Sequence, residues 1–510
     1  MRRSDDRASQ ASEPTQSLTH RTLSGFMWQS SVAGANVVIR TFVLIVLARH
    51  LPARDFGIVA AAMVVATITQ VFAQIGVTQA IVQRLTITTR HVRTGFAVAL
   101  YTGIAGGLIL LLGAPLFGLM FRMPEVEPVV RLFSTLLVLN GIAAVPIALL
   151  QRAHRFRVSA TIELVAFVFG YGLIGIALAF LGWGLWALAC AQIAQVSSRT
   201  ILYLFAAPPA MTLRPDRQEL NELLHVGSGY SLGQIANLIA TQVDNFIVGR
   251  LLGAEPLGLY SRAYQFLMLP AQLLGTAAQT VLFPSIAAIQ DQPERVARAC
   301  LRAIGVVAMV TLPLSGVLAV LAPELVHVAL GKRWFGMIPP FQILVLSLMF
   351  RTSYKISDSI ALAFGAMRPR AARQLAYAAA VAIGSLVGAN WGLTGVAAGV
   401  ALAVVLNFLM MLQLALKLTS IPASQVLAVH VRHALVSVPI VSMAYFATVL
   451  DRNMHLNDML VLVLGFGAAG AVAAIMWWRF RRVFGDDADW AHEQATSRIA
   501  YFRTRSRSRA

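Results

Sequence analysis

The chain has 510 residues, of which 58% are hydrophobic and only 12% charged. A soluble globular protein carries about 25% charged residues, so a soluble enzyme is excluded and a polytopic membrane protein is expected. The formal net charge of +19 does not point to nucleic acid, because the cations sit in short loops and tails between apolar runs, the pattern that sets membrane orientation.

Residues 1–22 are polar and form the expected cytoplasmic N-terminal tail. No cleavable leader is evident, because the first apolar segment is helix-length and runs on into further spans. With about 20 apolar residues as one crossing, about fourteen helical spans follow: 26–47, 56–80, 95–121, 129–150, 160–181, 184–206, 225–249, 257–289, 303–322, 338–366, 374–390, 393–416, 431–450 and 458–478. The expected division is an N-lobe (23–206), a cytoplasmic linker (207–224), a C-lobe (225–418), a further helix pair (419–478) and a basic cytoplasmic tail (479–510). That tail, ending "YFRTRSRSRA", is suited to anionic lipid. With the N-terminus inside, about 28 of the 41 Lys and Arg residues fall on the cytoplasmic side and about 8 on the other. Both termini are therefore expected in the cytoplasm. Cys190 and Cys300 are the only cysteines, too few for a disulfide framework or a metal cluster, and no cofactor is expected.

The two halves resemble each other. "ARHLPARDFGI" (48–58) matches "GRLLGAEPLGL" (249–259), pairing Arg49 with Arg250, Ala53 with Ala254 and Gly57 with Gly258. "GWGLWALA" (182–189) matches "NWGLTGVA" (390–397), and "AHRFR" (153–157) matches "AMRPR" (366–370). Spans one to six and seven to twelve are thus two copies of one unit. An even number of spans per copy makes the copies parallel. The expected fold is an all-α membrane protein of two six-helix lobes with a C-terminal helix pair outside the repeat. Two such lobes with no large extramembrane loop read as a transporter with its site between them.

Several spans carry one polar edge. The first holds Gln29, Asn36 and Arg40; the second has a weaker set, Thr67, Gln70 and Gln74. The seventh holds Tyr230, Gln234, Asn237, Thr241 and Asp244, and the eighth Arg262, Gln265 and Gln272. In the tenth, Arg351, Lys355 and Asp358 fall at i, i+4 and i+7, one helical face. Lipid cannot satisfy such groups, so they are expected to converge on a wet cavity. The competing readings are interhelical glue for the amides, snorkelling for Arg40 and Arg262, and a buried self-paired cluster for Arg351, Lys355 and Asp358. Glu163 is expected to pair with loop arginines. Asp244 is either the counter-charge of an arginine or a proton or sodium site. Arg40, Arg262, Arg351 and Lys355 outnumber Asp244 and Asp358, which suits an anionic substrate and phosphate in particular.

"LPARDFGIVAAAMVVATITQVFAQIGVTQAIVQR" (51–84) and "LYSRAYQFLMLPAQLLGTAAQTVLFPSIAAIQDQPER" (259–295) resemble the second and eighth helices of Wzx-type oligosaccharide flippases. These belong to the multidrug/oligosaccharidyl-lipid/polysaccharide (MOP) exporter superfamily, and the likeness is greatest to its colanic-acid-type branch. The resemblance implies alternating access and a substrate of oligosaccharide on undecaprenyl pyrophosphate, moved from the cytoplasmic to the periplasmic leaflet of the bacterial inner membrane. It also implies pyrophosphate binding at Arg40 and Arg262, to which the helical-face argument adds Arg351 and Lys355. Sugar contacts are expected from Gln29, Asn36, Tyr230, Gln234, Asn237, Thr241, Gln265 and Gln272. Charge balance or coupling to a proton or sodium gradient would fall to Asp244 and Asp358. The implied partners are a polysaccharide polymerase and a chain-length regulator. The alternatives are a multidrug or cation antiporter, which would favour lumenal acids, and a membrane glycosyltransferase or polymerase, which would need large extramembrane loops. A non-transporting scaffold would leave the polar stripes without a purpose.

Overall fold

The computed structural model describes residues 36–74, 77–84, 86–212, 214–216, 219–220, 222, 240–287, 292–419, 421–454 and 457–479. The candidates Gln29, Tyr230, Gln234 and Asn237 lie outside these residues, as does most of each tail. Among the described residues there is no strand. The helices are α1 (36–50), α2 (Ala53–Gln74), α3 (Thr89–Phe121), α4 (Val126–Arg152), α5 (Phe156–Phe180) and α6 (Leu185–Ala206). The second set is α7 (240–252), α8 (Ala254–Ala287), α9 (Pro293–Val320), α10 (Ile338–Leu346 continued by Leu348–Ala363), α11 (Met367–Gly388) and α12 (Gly392–Thr419). Two more follow, α13 (Ala423–Met454) and α14 (Asp458–Arg479).

Among the described residues, nine helical stretches are long and apolar enough to cross a membrane, by length and composition. Their outer faces carry side chains that water would reject: Leu112 is 78% exposed, Leu402 70% and Phe205 82%. A surface that apolar is lipid-facing. The chain is an all-α, multi-pass membrane protein.

Two glycines matched in the sequence share a backbone conformation. Gly184 and Gly392, paired by the sequence match, both take left-handed φ values, 52° and 69°. Each stands at the start of its helix, α6 or α12. A side chain is strained there, which is why both copies use glycine. The lobes meet where α2 crosses α8 at Gly57 and Gly258, another matched pair. Two aromatics brace this end. Phe121, at the end of α3, packs edge-on against Phe246 of α7 and lies against Gly249. Trp334, fully buried in the C-lobe, donates its indole N–H to the Ala48 carbonyl of α1 at 2.9 Å. Ala48 and Gly249 are equivalent positions of the repeat, so each lobe seats one large ring against the same point of the other. Arg49 adds hydrogen bonds to the Val328 and Ala329 carbonyls at the end of the short helix Ala322–Ala329.

Helices α13 and α14 pack against the end of α9. Ile440 and Ala444 of α13 and Val461 and Ala469 of α14 share a core with Val317 and Leu321, at the end of α9. His327 pairs with Asp458 at the start of α14.

Candidate functional site

Beside the α2–α8 crossing lies a cavity of about 470 Å³ between the lobes, within the usual range for ligand sites. Among the described residues, α1 contributes Arg40 and Leu44, and α2 contributes Phe56 to Thr67 along one face. Phe167 and Tyr171 come from α5, and Gln192 and Gln195 from α6. From the other lobe, α7 contributes Gln242 and Asn245, and α8 contributes Ser261, Arg262, Tyr264 and Gln265.

Arg40 and Arg262 are the charged residues of this lining, one from each lobe. Arg40 donates from Nε to the Asn36 Oδ1 at 2.6 Å, an i, i+4 pair on α1, and its guanidinium lies 4.7 Å from the Phe167 ring centre. Asn36 therefore orients Arg40. The guanidinium of Arg262 lies 4.9 Å from the ring centre of Phe56, and its buried Nε makes no hydrogen bond. Phe56 is itself held edge-on by Trp334. Among the described residues neither arginine forms an ion pair. Resting on aromatic faces keeps a cation oriented while its N–H groups stay available.

The acids are occupied elsewhere. Asp244, 1% exposed, accepts the Tyr260 hydroxyl at 2.9 Å and the Asn245 N–H at 2.8 Å inside the C-lobe. Asp358 is held bidentately by Arg370 of α11, at 2.5 and 3.1 Å. Glu163 sits 3.8 Å from Arg199 and accepts the Tyr203 hydroxyl at 3.3 Å. Its partner is thus a span arginine and not a loop arginine.

The expectation that Arg351, Lys355 and Asp358 face the cavity is corrected. They do share a face of α10, but that face turns into the C-lobe. Arg351 is 8% exposed, donates to the Tyr264 hydroxyl at 2.6 Å and stacks 4.9 Å from that ring. Tyr264, itself part of the lining, thus stands between it and the cavity. Lys355 is half-buried between Arg351 and Asp358 and does not line the cavity. Asp358 has its counter-charge on α11 and balances nothing in the lining. A helical wheel tells which residues share a face, not which neighbour that face meets.

The α7 stripe is also rotated. Thr241 and Asp244 turn away from the cavity, and Gln242 and Asn245 line it instead. On α8, Gln265 lines the cavity while Gln272, two turns on, is exposed and does not. Sequence reasoning also missed Tyr171, Gln192 and Gln195. The spacing of Gln192, Gln195 and Arg199 on α6 carried a signal. Tyr171 did not, because α5 is a π-helix from Val168 to Gly175, which shifts the phase of a 3.6-residue wheel. Its hydroxyl donates to the Gln192 Oε1 at 2.8 Å.

The chain resembles several known proteins. It is 25% identical over 342 residues to the lipopolysaccharide biosynthesis protein WzxC of Escherichia coli, covering 66% of this chain and 68% of that one. It is 28% identical over 306 residues to the succinoglycan biosynthesis transport protein ExoT of Rhizobium meliloti, covering 59% and 61%. Its fold matches the lipid II flippase MurJ in an inward closed conformation with a TM-score of 0.73 at 13% identity, over 89% of this chain and 100% of that one. It also matches an inward-facing multidrug resistance MATE family transporter of the MOP superfamily, with a TM-score of 0.60 at 15% identity over 77% and 98%. A model of polysaccharide biosynthesis proteins matches residues 46–339, more than half of the chain, which therefore belongs to that family.

Proposed function

We propose that this protein is a transporter, not an enzyme, that carries oligosaccharide linked to undecaprenyl pyrophosphate across the membrane by alternating access. The observation that carries the reading is the pair Arg40 and Arg262: one cation from each lobe, both lining one cavity, with no carboxylate among the described lining residues. A pyrophosphate bridging them gains charge-assisted hydrogen bonds to both lobes at once. That couples headgroup binding to the relative position of the lobes, the coordinate alternating access needs. The names of WzxC, ExoT and MurJ support the substrate class.

Several finer assignments belong to this reading. The charge distribution puts both termini in the cytoplasm, so the end braced by Trp334 and Phe121 faces the periplasm and the cavity loads from inside. Coupling to a proton or sodium gradient falls to Asp244, the neighbour in sequence of cavity-lining Asn245. A polysaccharide polymerase and a chain-length regulator act on the exported unit. A cation antiporter is disfavoured, because the charged residues of the described lining are the arginines Arg40 and Arg262.

The test is equilibrium binding of a short-chain prenyl pyrophosphate to the purified protein. Arg40→Gln and Arg262→Gln should each weaken it about tenfold or more, the loss of one charge-assisted hydrogen bond. Parent-like binding by both variants contradicts the reading.

A further inference from the structure

Resting on the sidedness drawn above, we propose that the linker joining the lobes after α6 works as a latch on the cytoplasmic entrance. Its Glu222 docks on Arg84 and His91 of the N-lobe, and undocking lets the lobes part at that end.

The latch sits where such a device has to be. The helix α3 is 33 residues long, about 50 Å, and Phe121 at its end belongs to the braced end of the molecule. Thr89 and His91, at its start, therefore lie at the opposite end, where the lobes must part to load the cavity. Arg84 follows the short helix Val77–Gln83, which comes after α2 in the chain. That α2 both crosses α8 and lines the cavity. Glu222 precedes α7 in the chain. The ion pair of Arg84 with Glu222 thus ties the chain beyond α2 to the way into the C-lobe.

The receptor for Glu222 is built by the N-lobe alone. Thr88 caps α3, and His91 completes the capping box. The Thr88 N–H donates to the His91 Nδ1 at 3.3 Å, so the imidazole carries its proton on Nε2, 3.3 Å from the Glu222 carboxylate. Arg152 of α4 donates to the carbonyls of Ile81, Val82 and Arg84, which holds the Arg84 backbone in place. Earlier in the linker the fastenings are of another kind. The Asp216 N–H donates to the Oγ1 of Thr94 at 3.1 Å, and Thr94 is buried. Ala210 and Leu220 pack on the core that holds Val92, Phe96 and Val145. Glu222 is the last of these described anchors, and water reaches it: its side chain is 37% exposed.

Docking also carries a cost that undocking relieves. Glu219, one turn before Glu222, has a buried Oε2 with no hydrogen-bond partner. Both carboxylates share a recess of about 510 Å³ with Arg84, Arg90 and His91. Swinging out hydrates the Glu219 oxygen and gives up the charge-assisted bonds of Glu222, two effects of opposite sign and similar size. A latch balanced in that way is closed without being locked, as a cycling transporter requires.

The experiment uses Ser261→Cys in the cavity lining, with Cys190 and Cys300 replaced by serine. An impermeant maleimide is added to the cytoplasmic face of inverted vesicles, and the labelling rate is read. Glu222→Gln should raise that rate about fivefold, the loss of one half-exposed ion pair. His91→Glu should raise it at least as much, since it keeps a capping box while setting a second carboxylate against Glu222. Glu219→Leu should lower it, because docking then buries no unpaired oxygen. Arg84→Glu combined with Glu222→Arg should restore the parent's rate. General loosening of the fold would speed labelling throughout, and the slowed Glu219→Leu and the restored exchange separate a latch from that. Unchanged rates in Glu222→Gln and His91→Glu, or an exchange variant that labels like Glu222→Gln, overturn the inference. The assay needs no substrate, so the pyrophosphate reading stands or falls separately. Acceleration seen only from the periplasmic face overturns the sidedness and leaves the latch standing.

Discussion

Gly57 and Gly258 lie under one another's helices. A Cβ on Gly57 would sit 1.7 Å from the Ala254 carbonyl oxygen, and one on Gly258 would sit 1.8 Å from the Ala53 carbonyl oxygen. The reciprocity is that of a pseudo-two-fold axis passing between α2 and α8. Backbone this close leaves no room for even a methyl, and no side-chain rotation relieves it. Gly57→Ala or Gly258→Ala should force the lobes apart and cost about 1–3 kcal/mol, read as a drop in Tm of the purified protein. Gly467→Ala in α14, where nothing lies within 4 Å, should not lower Tm, since alanine is the better helix former.

The brace at that end should act as a gate. Trp334→Ala empties a fully buried site, removes the bond to the Ala48 carbonyl and withdraws support from Phe56. The expected cost is about 3–5 kcal/mol, concentrated on the closed arrangement of the lobes. With Cys190 and Cys300 replaced by serine, a cysteine at cavity-lining Ser261 should react faster with an impermeant maleimide added from the periplasmic side. An unchanged rate means the ring does not hold the gate. Trp334→Phe, which loses the indole N–H, should have a smaller effect in the same direction.

The bond between Asp358 and Arg370 is structural on this account. Asp358 is 5% exposed, so Arg370→Ala leaves a buried carboxylate uncompensated and should cost about 3–5 kcal/mol of C-lobe stability. Asp358→Leu together with Arg370→Met should recover most of it, because removing both charges also removes their desolvation cost. Thermal unfolding of the single and double variants checks this. Additive losses would instead place the two residues in separate roles.

Arg40 is oriented by Asn36, and this too has a consequence. Asn36→Leu should weaken pyrophosphate binding about fivefold while leaving the charge in place, since one hydrogen bond contributes about 1 kcal/mol. Arg40→Lys should fare worse than its retained charge suggests, because an ammonium lacks the planar fork. Binding isotherms of the two variants against the parent measure it.

The architecture was largely legible in the sequence. Apolar runs of crossing length located the helices, and the matches at Gly57 with Gly258 and at Gly184 with Gly392 fall where the backbone needs glycine. Arg40 and Arg262 stood out because a cation inside an apolar run requires a reason, and both line the cavity. Arg351 stood out equally and yet lies behind Tyr264, since nothing along α10 says that its polar face meets α8 and α11. On α7, "TQVDN" offers two adjacent polar faces, and only packing selects Gln242 and Asn245 over Thr241 and Asp244. Tyr171 was hidden by the π-helical stretch of α5. What a linear pattern cannot carry is the identity of the facing helix and the local winding.

The measurement that bears most directly on the central claim is leaflet translocation in sealed vesicles. A labelled oligosaccharide on undecaprenyl pyrophosphate would be followed from the cytoplasmic-equivalent to the periplasmic-equivalent face. With Arg40→Gln and Arg262→Gln combined, transport should fall at least about a hundredfold, two charge-assisted hydrogen bonds lost together, while Tm stays at the parent value. Translocation at the parent's rate by that double variant would contradict the account.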